Sequence, residues 1–226
     1  MVLYFSGTGN SLYIAKRIAN GLGERLVSIG SLVCNNQYHL TLEEGESIGF
    51  VYPVIACAPP DVVTDFVKKV TFEGYQNKYV YSVYNCAGSP EYTSRIMKRT
   101  CEKRGLAIQG FYDVLMPGNY ITRKKHLPKE KVEQYLSQCD GKVDEIMKQI
   151  QGKVSNYKKE KHSFLLSYGL HKLAVLEKTE PFHVKEACVG CVNVCPTRAL
   201  QVGKKTEGNP QYINPYYDGR ARWNEK

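Results

Sequence analysis

Five short apolar runs interleaved with four helical patterns constrain this chain more than any other feature. The runs are Val2 to Phe5, Arg25 to Ile29, Ile48 to Val54, Lys78 to Tyr84 and Ala107 to Leu115. Between the first two, Leu12, Ala15, Ala19 and Leu22 recur at spacings of three and four, and Gly21 and Gly23 stop the pattern. A second helix is expected from Pro59-Pro60-Asp61, where proline is tolerated, with Val62, Val63, Phe66, Val67 and Val70 on one face. Ser89-Pro90 reads as the cap and first position of a third, which runs to Arg104 and stops at Gly105. The fourth spans Lys129 to Ile150, with Val132, Tyr135, Leu136, Cys139, Val143, Ile146 and Met147 on its apolar stripe. Strands alternating with helices predict an α/β domain whose parallel sheet is covered on both faces. Ligands of such sheets sit beyond the carboxyl ends of the strands. The loops to search are therefore 6–11, 53–60, 85–89 and 116–120.

A chain of 226 residues accommodates a domain of about 150 residues and a small appendage. The composition changes near residues 150–160, where Lys153, Lys158, Lys159 and Lys161 form a basic stretch. A short helical pattern follows over Phe164 to Leu176, then a tail rich in Gly, Asn, Pro and Tyr. No run approaches the roughly 18 uncharged apolar residues of a membrane span. Met1 leads directly into Val2-Leu3-Tyr4-Phe5 without a basic leader region, so a cytoplasmic protein is expected. The formal charge of +9 favours anionic partners without choosing among them. The basic clusters Lys103-Arg104, Arg123-Lys124-Lys125 and Lys158-Lys159 are short and scattered, and no nucleic-acid motif accompanies them. They read as solvated faces or as a docking surface for an acidic redox protein, and no nucleic-acid partner is expected. The five histidines are dispersed and give no nucleophile–base spacing, so nothing supports a hydrolase.

The first loop, Ser6-Gly7-Thr8-Gly9-Asn10-Ser11, joins a strand to a helix N-terminus. Its glycines allow backbone N–H groups to converge, and the helix end adds unpaired donors and a positive dipole end. It contains no Lys or Arg, so an anion there is held by neutral donors. The mononucleotide loop G-x-x-x-x-G-K-[ST] is absent, and the dinucleotide loop G-x-G-x-x-G fails because Leu12 stands at its third glycine. Two readings remain: a hydroxyl-rich loop suited to a terminal phosphate monoester, or an ordinary capped turn.

Phe5-Ser-Gly-Thr-Gly-Asn-Ser11 resembles the FMN-phosphate loop of flavodoxins. Gly49-Phe-Val-Tyr-Pro-Val54, Cys86-Ala-Gly-Ser-Pro90 and Met116-Pro-Gly-Asn-Tyr120 resemble a narrower group, in which a flavodoxin-like domain is fused to a two-cluster ferredoxin domain. The resemblance implies a doubly wound sheet of five parallel strands in the order 2-1-3-4-5. It also implies a flavodoxin-like domain over 1–155, a helical connector over 156–178 and an incomplete ferredoxin-like segment over 179–226. By similarity, Ser6, Gly7, Thr8, Gly9, Asn10 and Ser11 would cradle the FMN phosphate. Pro53, Val54, Ile55 and Ala56 would border one side of the flavin ring, and Asn85, Cys86, Ala87 and Gly88 the other. Asn119 and Tyr120 would close over the ribityl chain or ring, and Tyr84 or Tyr120 would supply stacking. The family usually has an aromatic residue and a glycine in the second loop, where this chain has Ile55, Ala56, Cys57 and Ala58. Alanine resists positive φ, so the half-reduced flavin is expected to be less stabilised than in typical flavodoxins.

Eight cysteines divide into two groups. Cys34, Cys57, Cys86, Cys101 and Cys139 are scattered and are expected to be buried small hydrophobes. Cys188, Cys191 and Cys195 form C-x2-C-x3-C-P, three residues short of the bacterial ferredoxin run, one of the three being a cysteine. The ligand set for a [4Fe–4S] cluster is thus incomplete. Three readings stay open: a cluster with an outside ligand, a zinc site completed by His183, or three reduced thiols. The resemblance implies FMN-based electron transfer to a redox partner protein. A cofactor-free flavodoxin-fold scaffold and an FMN-dependent reductase of a small substrate are the alternatives.

Overall fold

The computed structural model describes residues 1–118, 128–157 and 213–216. The elements in chain order are β1 (Val2–Tyr4), α1 (Asn10–Leu22), β2 (Leu26–Ser28), α2 (Ile29–Cys34) and β3 (His39–Thr41). They continue as β4 (Ile48–Pro53), α3 (Asp61–Lys69), β5 (Thr71–Glu73), β6 (Val80–Cys86), α4 (Thr93–Glu102), β7 (Ile108–Leu115) and α5 (Lys129–Gln151). Five strands pair in parallel in the order β2-β1-β4-β6-β7. Counting only strands of this sheet, that is 2-1-3-4-5, the order of flavodoxin-like doubly wound sheets. The expected ferredoxin-like segment, the Phe164 to Leu176 helix and most of the expected connector lie outside the described residues.

Side-chain alternation explains the two-faced burial. Val2 and Tyr4 of β1, Val51 of β4, Tyr81 and Val83 of β6, and Tyr112 and Val114 of β7 meet Leu12, Ala15 and Ile18 of α1 and Val143 and Ile146 of α5. Leu3, Phe50, Tyr52, Val80 and Phe111 point the other way, toward Leu32 of α2, Phe66 of α3 and Met97 of α4. Burial on both faces is why these strands read as near-continuous apolar runs. Gly49 makes room on the first face: a Cβ there would lie 2.3 Å from the fully buried ring of Tyr81.

Two expectations need correction. The third helix, α4, begins at Thr93 rather than beside Pro90. Ser89 instead accepts a hydrogen bond from Glu91 N at 3.4 Å, and Glu91 takes φ 44°, so the chain turns before the helix starts. The scattered cysteines are not uniformly buried either: Cys86, Cys101 and Cys139 are, whereas Cys34 and Cys57 are exposed. Burial, then the neighbouring carboxylates, pushes the thiols of Cys101 and Cys139 up to about 12. Unforeseen were α2 and the small parallel pair β3-β5, whose three-residue strands carry mostly exposed polar side chains.

The amino end of the sheet and its β7 edge are both tied down. At the amino edge, Arg25 pairs with both oxygens of Glu46 at 2.8 and 2.6 Å, and the Met1 ammonium lies 3.0 Å from Glu24 and 3.4 Å from Glu46. Beyond α5, Asn156 returns to the edge strand β7. Its side chain accepts from Phe111 N at 2.7 Å and donates to Phe111 O at 3.0 Å, closing a backbone edge that would otherwise invite pairing. Among the described residues, no helix is long and apolar enough to cross a membrane.

Candidate functional site

All five strands of the main sheet are parallel, so their following loops gather at one edge. Strand-like backbone contacts hold the loops in register there. Phe5 N donates to Val51 O, Val54 N to Asn85 O and Met116 N to Cys86 O, each at 2.9 Å. Side chains from the first loop bind the third and fourth. Ser11 Oγ donates to Asn85 Oδ1 at 2.5 Å, and Asn10 Nδ2 donates to Pro117 O at 3.0 Å. The loops that the sequence pattern singles out, 6–11, 53–60, 85–89 and, of 116–120, the described residues 116–118, therefore form one constellation.

The first loop is dense in buried polar groups. Ser6, Thr8, Asn10 and Ser11 are all less than a tenth exposed, a situation that demands hydrogen-bond partners. Gly9 takes φ 96° at the N-cap of α1, a left-handed conformation that glycine adopts without a steric penalty. Ser6 Oγ accepts from Gly9 N at 3.1 Å, which orients its own hydroxyl proton away from that amide. Having no side chain, Gly9 supplies no cap to the helix, and the first turn carries no acidic residue. A thirteen-residue helix thus points an end without a side-chain cap, and its positive dipole end, into a hydroxyl-lined loop. This arrangement has the chemistry of an anion cradle built from neutral donors.

The second loop departs from expectation. Its alanine predicts a backbone kept out of the left-handed region, yet Ala56 and Cys57 have φ of 47° and 67°. Ile55 and Ala58 exchange both backbone hydrogen bonds, at 2.9 and 3.1 Å, around this pair. Two consecutive positive φ values make the tight hairpin turn that normally selects Asn-Gly. Tertiary closure of Ile55 on Ala58 outweighs the local preference of the two side chains. The expectation of a less stabilised half-reduced flavin loses its premise, since the backbone already has the conformation that alanine resists. Pro53, Val54, Ile55 and Ala56 are half-buried, and Cys57 is exposed at the turn.

The third loop leaves Asn85 and Cys86 buried and Ala87 and Gly88 exposed. Cys86 Sγ donates to Gly88 O at 2.9 Å and turns the chain. Burial, the largest influence, raises the Cys86 thiol pKa above its ordinary value. Tyr84 does not project into the site. It is buried against Tyr52, with ring centroids 6.1 Å apart, on the α3/α4 face. Asn119, Tyr120, Cys188, Cys191, Cys195 and His183 lie outside the described residues. Among the described residues no group of three or more His, Cys, Asp or Glu side chains is placed to hold a metal ion.

Sequence reasoning missed one participant. Asn214, 1% exposed, reaches the first loop from the far end of the chain. Its backbone N–H donates to Thr8 O at 2.8 Å, and its Nδ2 donates to Asn10 Oδ1 at 3.0 Å. Tyr216 N donates to Asn214 Oδ1 at 3.0 Å, and the Tyr216 ring stacks on Tyr13 of α1 at 5.1 Å. Nothing in the local pattern around Asn214 distinguishes it from its neighbours in a polar, proline-containing tail.

No protein-family model matches the chain, and no curated protein sequence does. Solved structures do. A provisionally assigned flavoprotein from Bacteroides uniformis is 14% identical, with a TM-score of 0.41 over 61% of this chain and 96% of that one. The Trp repressor binding protein from Bacillus subtilis is 12% identical, with a TM-score of 0.38 over 63% and 97%. The azoreductase AzrA is 10% identical, with a TM-score of 0.40 over 65% and 97%. At such distances the function has to be argued from the site itself.

Proposed function

We propose that this chain binds FMN at the carboxyl edge of its sheet and serves as an electron-transfer protein. One observation carries the reading: α1 begins at Gly9 without a side-chain cap, inside a loop of buried hydroxyls that meets three other loops. A phosphate monoester fits that donor set. The α1 amides and the hydroxyls of Ser6 and Thr8 would hold it, with Gly7 and Gly9 allowing close approach. Ser11 gives its one hydroxyl proton to Asn85 Oδ1, so it would contribute its backbone N–H rather than its hydroxyl. Pro53 to Ala56 on one side, and Asn85 to Gly88 on the other, would border the flavin ring.

Bound FMN supplies the redox chemistry, and the surrounding protein dipoles bias its potential. The residues here have a modest role, which is to bind the phosphate, orient the ring and leave one edge open to a partner. The exposed Cys57, Ala87 and Gly88 leave the constellation accessible to another redox protein. The three clustered cysteines offer thiolates toward an iron–sulfur cluster, and assembly of a [4Fe–4S] cluster there requires a fourth ligand.

Titration of the purified full chain with FMN, followed by quenching of flavin fluorescence, tests the reading. Saturable quenching with one flavin per chain is expected. Absence of quenching, together with a colourless protein as purified, overturns it in favour of a cofactor-free scaffold.

A further inference from the structure

The first loop is completed by a residue 204 positions away. Asn10 spans two partners through one side-chain amide: its Nδ2 donates to Pro117 O, and its Oδ1 accepts from Asn214 Nδ2. The Thr8 carbonyl, one peptide before Gly9, accepts from Asn214 N. Asn214 therefore grips the loop on both sides of the glycine whose φ of 96° sets the start of α1. Its own side-chain carbonyl oxygen is occupied by Tyr216 N, so its side-chain orientation is fixed. Tyr216, two-thirds exposed, leans on Tyr13, and Tyr13 donates to Asp140 of α5 at 2.5 Å. Four described residues, 213–216, are thus fastened both to the loop and to the helix that follows it.

We propose that Asn214 is a positioning residue of the anion loop, acting through Thr8 and Asn10 on the backbone amides at the start of α1. The proposal rests on the FMN-phosphate reading for its ligand but concerns a residue outside the loop. Linkage makes the effect reciprocal: if Asn214 pre-orders the loop for a phosphate, a bound phosphate also strengthens docking of segment 213–216.

The test compares FMN with riboflavin, which lacks the phosphate, on the full chain. Asn214→Ala is expected to weaken FMN about tenfold and leave riboflavin unchanged. Tyr216→Ala, at an exposed position that leaves the core intact, is expected to weaken FMN by a smaller factor with the same selectivity. In a double-mutant cycle, Asn214→Ala should cost FMN binding less in an Asn10→Ala background than in the parent, because the side-chain bond that the two residues share is already gone. Equal weakening of FMN and riboflavin would mean a general structural role and overturn the proposal, as would unchanged FMN binding. If the parent chain binds neither flavin, the functional reading fails separately. Amide hydrogen exchange at residues 9–12 then decides: faster exchange in Asn214→Ala supports the positioning role, and unchanged exchange ends it.

Discussion

At the scale of single residues, the most informative departures from local preference are Ala56 and Cys57. Each L-residue in the left-handed region costs about 1–2 kcal/mol, which glycine avoids at an entropic cost of roughly 0.5–1 kcal/mol. Cys57 is exposed and has φ 67°, so its side chain contributes little to offset that cost. Cys57→Gly is therefore expected to stabilise the fold by about 0.5–1 kcal/mol, read as a higher urea midpoint at unchanged slope. A lower midpoint would show that the turn prefers another conformation in solution. Positive φ at these two positions is invisible in the sequence because neither residue favours it. The closure of Ile55 on Ala58 that imposes it is set by the end of β4 and the start of α3. Gly9, by contrast, is legible beforehand, since a glycine at the strand-to-helix junction is the residue that such a loop requires.

At the scale of elements, the sheet and its long helices are readable because both faces of the sheet are buried. Phe50 and Tyr52 look one way from β4 and Val51 the other, so the strand carries an unbroken apolar run. The 3-residue strands β3 and β5 carry no such signal: His39, Thr41, Thr71 and Glu73 are exposed, and only Leu40 and Phe72 lean on the core. The cross-strand packing of β4 against β6 makes a sharp prediction at Gly49. A methyl group there would press on the Tyr81 ring, which is wholly buried and cannot swing into solvent. Gly49→Ala is expected to cost about 1–3 kcal/mol in urea unfolding, the range for overpacking a core. Retention of full stability would show that the Tyr81 ring does not sit over Gly49.

At the scale of the whole molecule, the sheet has two differently built ends. The carboxyl edge carries the neutral donors of the candidate site, whereas the amino edge carries a knot of charge. Burial disfavours the charged form of Glu46, but hydrogen bonds from Arg25 and Glu43 N, with the Met1 ammonium nearby, bring its pKa down to about 2. A carboxyl lowered in the folded state stabilises the protein above its unfolded pKa, and that stability is lost as pH falls through the folded value. Unfolding free energy is expected to decline between about pH 4.5 and pH 2. On the order of 1–2 kcal/mol of the decline should trace to Glu46, after allowing for the half-exposed Arg25. Chemical denaturation across that range checks it, and Glu46→Gln should flatten the dependence. This knot escapes sequence reasoning because Arg25, Glu24 and Glu46 sit in unremarkable polar surroundings and only the parallel register brings them together. Asn214 escapes for the same reason at longer range, being chosen by what it touches rather than by its neighbours along the chain.

The tie between Asn214 and Asn10 also fixes a timetable. One partner of Thr8 and Asn10 is synthesised 204 residues after Asn10. At roughly 5–20 residues per second, that wait is on the order of ten to forty seconds. A nascent chain can therefore assemble its strands and helices well before Asn214 arrives to brace the cradle.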